Sequence, residues 1–201
     1  MAPYSLCLWL CLLIAVVIAP HLTTQQQVAD SAGKYVPQKA GPWRFMSSNP
    51  KYVRLSTLDD PDLKCIKANI TNWNSPARTL SQRVVKLYSR SRAIINVNYD
   101  AMPKNGRVRT LTSVEIETGE SANYTFRHTM VHCAVIHKRT NKGAGDYSDV
   151  CELWVNDMFF KKDPQDQESC TTIFKTDCNG SIAKPYNIKD CAEDIGKVIL
   201  V

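Results

Sequence analysis

A period-two alternation of apolar and polar residues constrains this chain most. From Arg107 to Thr118, Val108, Thr110, Thr112, Val114 and Ile116 alternate with Arg107, Arg109, Leu111, Ser113 and Glu115. Successive side chains of an extended strand point to opposite faces, so such a run buries one face and wets the other. Shorter runs of the same kind cover Lys51–Leu58, Leu63–Thr71, Arg83–Tyr88 and Ala93–Tyr99. Turn-forming clusters separate them: Asp59-Asp60-Pro61-Asp62, Met102-Pro103-Lys104-Asn105-Gly106, Gly119-Glu120 and Asn141–Gly145. Residues 123–137 read as one long strand with Tyr124, Phe126, His128, Met130, His132, Ala134 and Ile136 on one face. Asp149–Phe160 reads as a last strand, and Asp163-Pro164 starts a helix through about Lys175. A further short strand is expected near Tyr186–Ile188. Pro42 opens a short helix or turn bearing Trp43 and Phe45, a segment able to plug one end of a barrel. Many short antiparallel strands followed by one late helix predict an all-β fold, a sandwich or a barrel.

The stretch Asp149–Asp157 reads Asp-Val-Cys-Glu-Leu-Trp-Val-Asn-Asp. On a strand Glu152 and Trp154 share one face, and Cys151, Leu153 and Val155 share the other. Facing a barrel interior, Glu152 and Trp154 make a ligand floor: a broad apolar surface with one polar anchor. The plainer reading is a core tryptophan with Glu152 at a rim or paired to a cation. His128 and His132 would lie about 13 Å apart along a strand, at roughly 3.3 Å per residue, too far to share a metal ion. They read as inward polar groups at two depths, or as hydrogen-bonded core histidines. No Gly-x-Ser-x-Gly, His-Glu-x-x-His or P-loop pattern occurs. The reading is therefore a binding protein, not an enzyme, with no metal and no cofactor.

The first 29 residues carry no Lys, Arg, Asp or Glu, and Leu6–Ala19 is apolar. That run falls short of the roughly 20 residues a membrane span needs, and it suits a secretory signal peptide. The expected organisation is a signal over residues 1–24, cut between about residues 22 and 32, then an N-terminal arm over 25–42, then one domain over 43–201. Six cysteines stay in the mature chain: Cys65, Cys133, Cys151, Cys170, Cys178 and Cys191. An even count in a secreted chain reads as three disulfides, and spacing alone leaves every pairing open. Asn69, Asn123 and Asn179 each open a glycosylation sequon. The net charge is +6, with Lys51, Arg54, Lys86, Arg90, Arg92, Arg107, Arg109, Lys138 and Arg139 read as scattered, solvated cations. No basic stripe supports nucleic-acid binding, and no second apolar run supports a membrane partner. A secreted monomer is expected.

The ordered motifs resemble those of the tick salivary lipocalins, the tick histamine-binding protein family. Trp43, Tyr52-Val53, Asp60-Pro61, Leu63-Lys64-Cys65, His132-Cys133-Ala134-Val135-Ile136, Asp146-Tyr147, Glu152-Leu153-Trp154, Cys170 and Cys191 follow the family's order over most of the mature chain. The resemblance implies an eight-stranded antiparallel barrel with a C-terminal helix against it. It implies disulfides Cys65–Cys191 and Cys133–Cys170, which leaves Cys151 with Cys178. It also implies secretion in saliva and sequestration of a host mediator: histamine, serotonin, or a leukotriene or other fatty-acid mediator. Some members of that family bind host proteins such as complement, which makes a protein-blocking lipocalin the alternative.

Histamine-binding members carry an acidic residue directly after the cysteine matched by Cys133, where this chain has Ala134. Leukotriene-binding members resemble the chain at His132 and Trp154 but carry an arginine where it has Ala122. The expected ligand-binding set is Trp43, Asp60, Tyr124, Phe126, His128, Met130, His132, Glu152 and Trp154. Inward histidines would supply the hydrogen-bonding end for a fatty-acid mediator, so that class is preferred over an amine.

Overall fold

The computed structural model of the protein describes residues 39–100, 109–143, 145–180 and 183–192. The expected signal peptide, most of the expected N-terminal arm and residues 101–108 lie outside the described residues. The elements run α1 (Pro42–Met46), β1 (Lys51–Ser56), β2 (Leu63–Asn74), β3 (Thr79–Tyr88), β4 (Arg92–Tyr99), β5 (Thr110–Glu115), β6 (Ser121–Thr129), β7 (Cys133–Gly143) and β8 (Asp146–Asn156). A 3-10 turn (Phe159–Lys161), α2 (Pro164–Asp177), β9 (Lys184–Pro185) and α3 (Ile188–Ala192) follow among the described residues.

Each strand from β2 to β8 pairs antiparallel with its sequence neighbour, β8 pairs with β1, and β1 pairs with β2. The eight strands thus close into a barrel, which removes the sheet edges. The seam between β1 and β2 is short: only Lys51 and Tyr52 pair across it. At the other end of β1, Leu55 and Ser56 pair instead with Pro185 and Lys184 of β9. Residues 184–185, one step before the expected strand, therefore fill the open part of the seam.

The alternation works as the pleat requires. Glu152 and Trp154 face the interior, while Cys151, Leu153 and Val155 face outward beneath α2. Leu153 and Val155 are fully buried there, and burial of each side chain stabilises by about 1.5–3 kcal/mol. Asp163 caps α2 by accepting from the Asp166 backbone N–H at 2.9 Å, and Pro164 fills the first helical position, where its missing N–H costs nothing. Disulfides Cys133–Cys170 and Cys151–Cys178 strap α2 to β7 and β8, and Cys65–Cys191 ties α3 to β2.

One expected element is overturned. Residues 123–137 are not a single strand but the hairpin of β6 and β7. The Met130 N–H donates to the Cys133 carbonyl at 2.8 Å and turns the chain at Val131-His132. That turn contains no Gly, Pro, Asn or Asp, the residues whose backbone preferences mark turns. A bulge between Phe126 and His128 also breaks the face parity just before it.

Candidate functional site

One end of the barrel is filled by side chains. Phe45 of α1 is fully buried in the core cluster that includes Val53, Leu80, Leu111, Phe126 and Ala134. Trp43 stacks on Trp73 with ring centroids 4.0 Å apart, and the Arg78 guanidinium lies 5.3 Å from the Trp43 ring. The buried Lys51 ammonium donates to the Met46 and Ser48 carbonyls at the C-terminal end of α1 and holds that plug in place. Burial pulls its pKa down to about 7.

The other end is open and holds a cavity of about 280 Å³. Strand parity explains its lining. Val84, Lys86 and Tyr88 follow one another on the inner face of β3, and Lys138 and Thr140 continue the inner face of β7 beyond Ile136. Trp154 and Glu152 form the β8 wall, and Tyr124 the β6 wall. Asp60, Glu115, Glu120 and Lys142 stand nearer the mouth.

Three groups carry the electrostatics. Glu152 is buried and accepts a 2.7 Å hydrogen bond from Trp154 Nε1, so the indole orients the carboxylate. Lys138 lies 5.4 Å from the Tyr124 ring. Burial works against its ammonium, but Tyr124, Glu152 and Glu115 outweigh that and hold it above the ordinary lysine range. Lys86 shows the opposite balance. Burial and then the neighbouring Lys138 pull it below the ordinary range, against Glu152, Glu115 and Glu120. Deeper still, the Tyr99 hydroxyl donates to Gln82 Oε1 at 3.1 Å, and burial raises the Tyr99 pKa well above its usual value.

Trp154, Glu152, Tyr124 and Asp60 thus line the cavity. Phe126 is buried in the barrel core at the filled end, and Trp43 belongs to the plug. His128, His132 and Met130 lie outside the barrel interior, contrary to the expectation from parity. The bulge and the turn carry them onto the α2 side. His128 Nε2 pairs with Asp177 Oδ2 at 3.1 Å. His132 Nε2 lies 3.4 Å from Cys170 Sγ, and its pKa is lowered by burial, with Asp166 opposing. Met130 packs with Phe159 and Phe174. Two cations read as solvated, Lys86 and Lys138, instead face the cavity. Their signal was present: each continues an inner face, at i+2 from Val84 and from Ile136.

The profile of the tick histamine binding protein family matches residues 30–193. The chain belongs to that family. No curated protein matches it in sequence. Among solved structures, this chain is similar in fold to Japanin from Rhipicephalus appendiculatus bound to cholesterol. The identity is 12%, the TM-score 0.50, and the match covers 71% of this chain and 93% of Japanin. It is similar to AM182 in its serotonin complex, with 17% identity, a TM-score of 0.51, and 75% and 94% coverage. Apocrustacyanin C1 matches with 14% identity, a TM-score of 0.51, and 75% and 89% coverage. At these identities the likeness establishes the lipocalin barrel. The character of the site rests on this chain's own lining.

Proposed function

We propose that this chain is a secreted salivary lipocalin that sequesters a small, protonated host amine of the histamine or serotonin class and does not transform it. The carrying observation is the buried Glu152–Trp154 pair on the cavity wall: an oriented carboxylate beside an indole face, the surroundings a desolvated aromatic ammonium needs. The cavity lining carries four carboxylates, Asp60, Glu115, Glu120 and Glu152, against three ammonium groups, Lys86, Lys138 and Lys142. A fatty-acid mediator loses the two histidines expected to hold its polar end, because both lie outside the barrel. Lipocalin barrels accommodate both chemistries, serotonin in AM182 and cholesterol in Japanin, so the lining is what separates them. The open cavity also favours a small ligand over the alternative of a host protein blocked through the loops.

Titrating serotonin and a leukotriene separately, while following Trp154 fluorescence, tests this reading. Trp43 and Trp73 stack on each other at the far end, so Trp154 is the tryptophan that reports. Serotonin is expected to quench at submicromolar concentration and the leukotriene only weakly. The reverse order would reject the amine.

The secretion half of the proposal has its own test. Asn123 is exposed on the outer face of β6, and Asn69 is half-buried on β2. Asn179 is exposed just beyond α2, although part of its sequon lies outside the described residues. Expression in a eukaryotic host should yield a chain whose mass falls on glycosidase treatment, and Asn123→Gln should remove one glycan. An unchanged mass would count against passage through the secretory pathway.

A further inference from the structure

The cavity contains opposite charges that the barrel keeps apart. Lys86 on β3 faces Lys138 on β7, which lies four strands away around an eight-stranded ring and therefore directly across it. The Lys86 ammonium has no hydrogen bond and no ion pair within reach among the described residues. Its neighbours act on it only through space. Glu115 on the inner face of β5 likewise keeps a carboxylate without a hydrogen-bonded or ion-paired partner, while its backbone N–H is spent on the Glu120 carbonyl. Both residues are half-buried. β4 lies between them, and they form no ion pair with each other. Partly desolvated charges without partners are costly, and a ligand that supplies both partners recovers that cost in binding.

A simple amine satisfies only half of this. It meets Glu152 and Glu115 but adds a positive charge to a space that already contains Lys86 and Lys138. A ligand with an anionic group next to its ammonium meets both. We propose that the cavity selects a small aromatic zwitterion of the amino-acid class, with its ammonium toward Glu115 and Glu152 and its carboxylate between Lys86 and Lys138. This rests on the small-ligand reading above and narrows it: the aromatic group still packs against Trp154 and Tyr124.

The test is calorimetry on the whole mature protein with three probes that share one ring: tryptamine, indole-3-acetate and tryptophan. Tryptophan is expected to bind at least about tenfold more tightly than either single-charge probe, a step of roughly 1.4 kcal/mol. Lys86→Met should bring tryptophan down to the affinity of tryptamine, and Glu115→Gln should bring it down to that of indole-3-acetate. Lys86→Arg keeps the charge and should keep the preference, which separates charge recognition from damage to the barrel. Tryptamine binding as tightly as tryptophan would overturn the zwitterion. So would a preference that survives both charge-removing variants, or a failure of all three probes to bind. The serotonin titration judges the parent reading separately: serotonin binding without a preference for tryptophan would overturn the zwitterion alone, and failure of serotonin and tryptamine together would overturn both.

Discussion

Replacing both Cys65 and Cys191 with alanine is expected to destabilise the protein by roughly 5 kcal/mol, because the bridge spans 126 residues of sequence and long loops lose the most entropy when closed. For a domain of this size that lowers the melting temperature by roughly 10–20 °C. The two bridges to α2 close far shorter loops, of 37 and 27 residues, and each is expected to contribute less, about 3.5–4 kcal/mol. The loss should also be felt at the site. Cys65–Cys191 anchors α3 to β2, and the same C-terminal segment brings β9 against Leu55 and Ser56. Lys184 Nζ donates to the Asp60 carbonyl at the cavity mouth at 2.6 Å. Freeing that segment opens the short β1–β2 seam beside the ligand. Differential scanning calorimetry of the double variant checks the stability, and serotonin titration below its melting point checks the site. A variant melting within a few degrees of the parent protein would show that β9 and Tyr186 hold the seam without the bridge.

Most of the barrel is legible because strand alternation and turn residues agree with each other over β1–β4 and β8, whereas β5 turns Leu111, Ser113 and Glu115 inward and leaves the more apolar set, Val114 and Ile116, exposed. Gly119, at a φ of +75°, illustrates the agreement: the β5–β6 turn needs a left-handed residue, and glycine adopts that conformation without steric cost. The β6–β7 hairpin was hidden because nothing in Thr129-Met130-Val131-His132 announces a turn. Its residues fit a strand as well as a corner, and what bends the chain is packing. Met130 belongs beneath Phe159 and Phe174, and Cys133 must reach Cys170 on α2. Tertiary context thus overrode local preference.

The same reading set the preference between ligand classes. Reading 123–137 as one strand placed His128 and His132 among the inward residues and made a fatty-acid head group plausible. Reading lysines as surface residues hid the cations that line the cavity. Lysine is almost never fully buried, so a charged residue at an inner position of a strand is discounted on composition, although its parity is correct. Glu152 and Trp154 escaped this discount because they sit two apart on a strand whose other face, Cys151, Leu153 and Val155, is unmistakably apolar.

Glu152→Gln is expected to weaken serotonin binding at least roughly thirtyfold, the lower end of the loss seen when one partner of a buried charge pair is removed, about 2 kcal/mol. The substitution is conservative in shape. Glutamine keeps an oxygen that can accept from Trp154 Nε1, so the indole should stay where the 2.7 Å hydrogen bond now holds it. What disappears is the negative charge, and it disappears from two partners. The ligand ammonium loses its counter-charge, and Lys138 loses one of the groups that hold its own ammonium above the ordinary lysine range. Lys138 retains Tyr124 and Glu115, so the barrel should survive with its melting temperature lowered by only a few degrees. Binding and folding are therefore expected to separate in this variant. A parallel Trp154→Phe variant removes the indole N–H and leaves the carboxylate charged but unoriented, and it should weaken serotonin less than Glu152→Gln does. If Glu152→Gln binds serotonin as tightly as the parent protein, the ammonium does not sit at Glu152, and the mouth carboxylates Asp60, Glu115 and Glu120 would have to hold it instead.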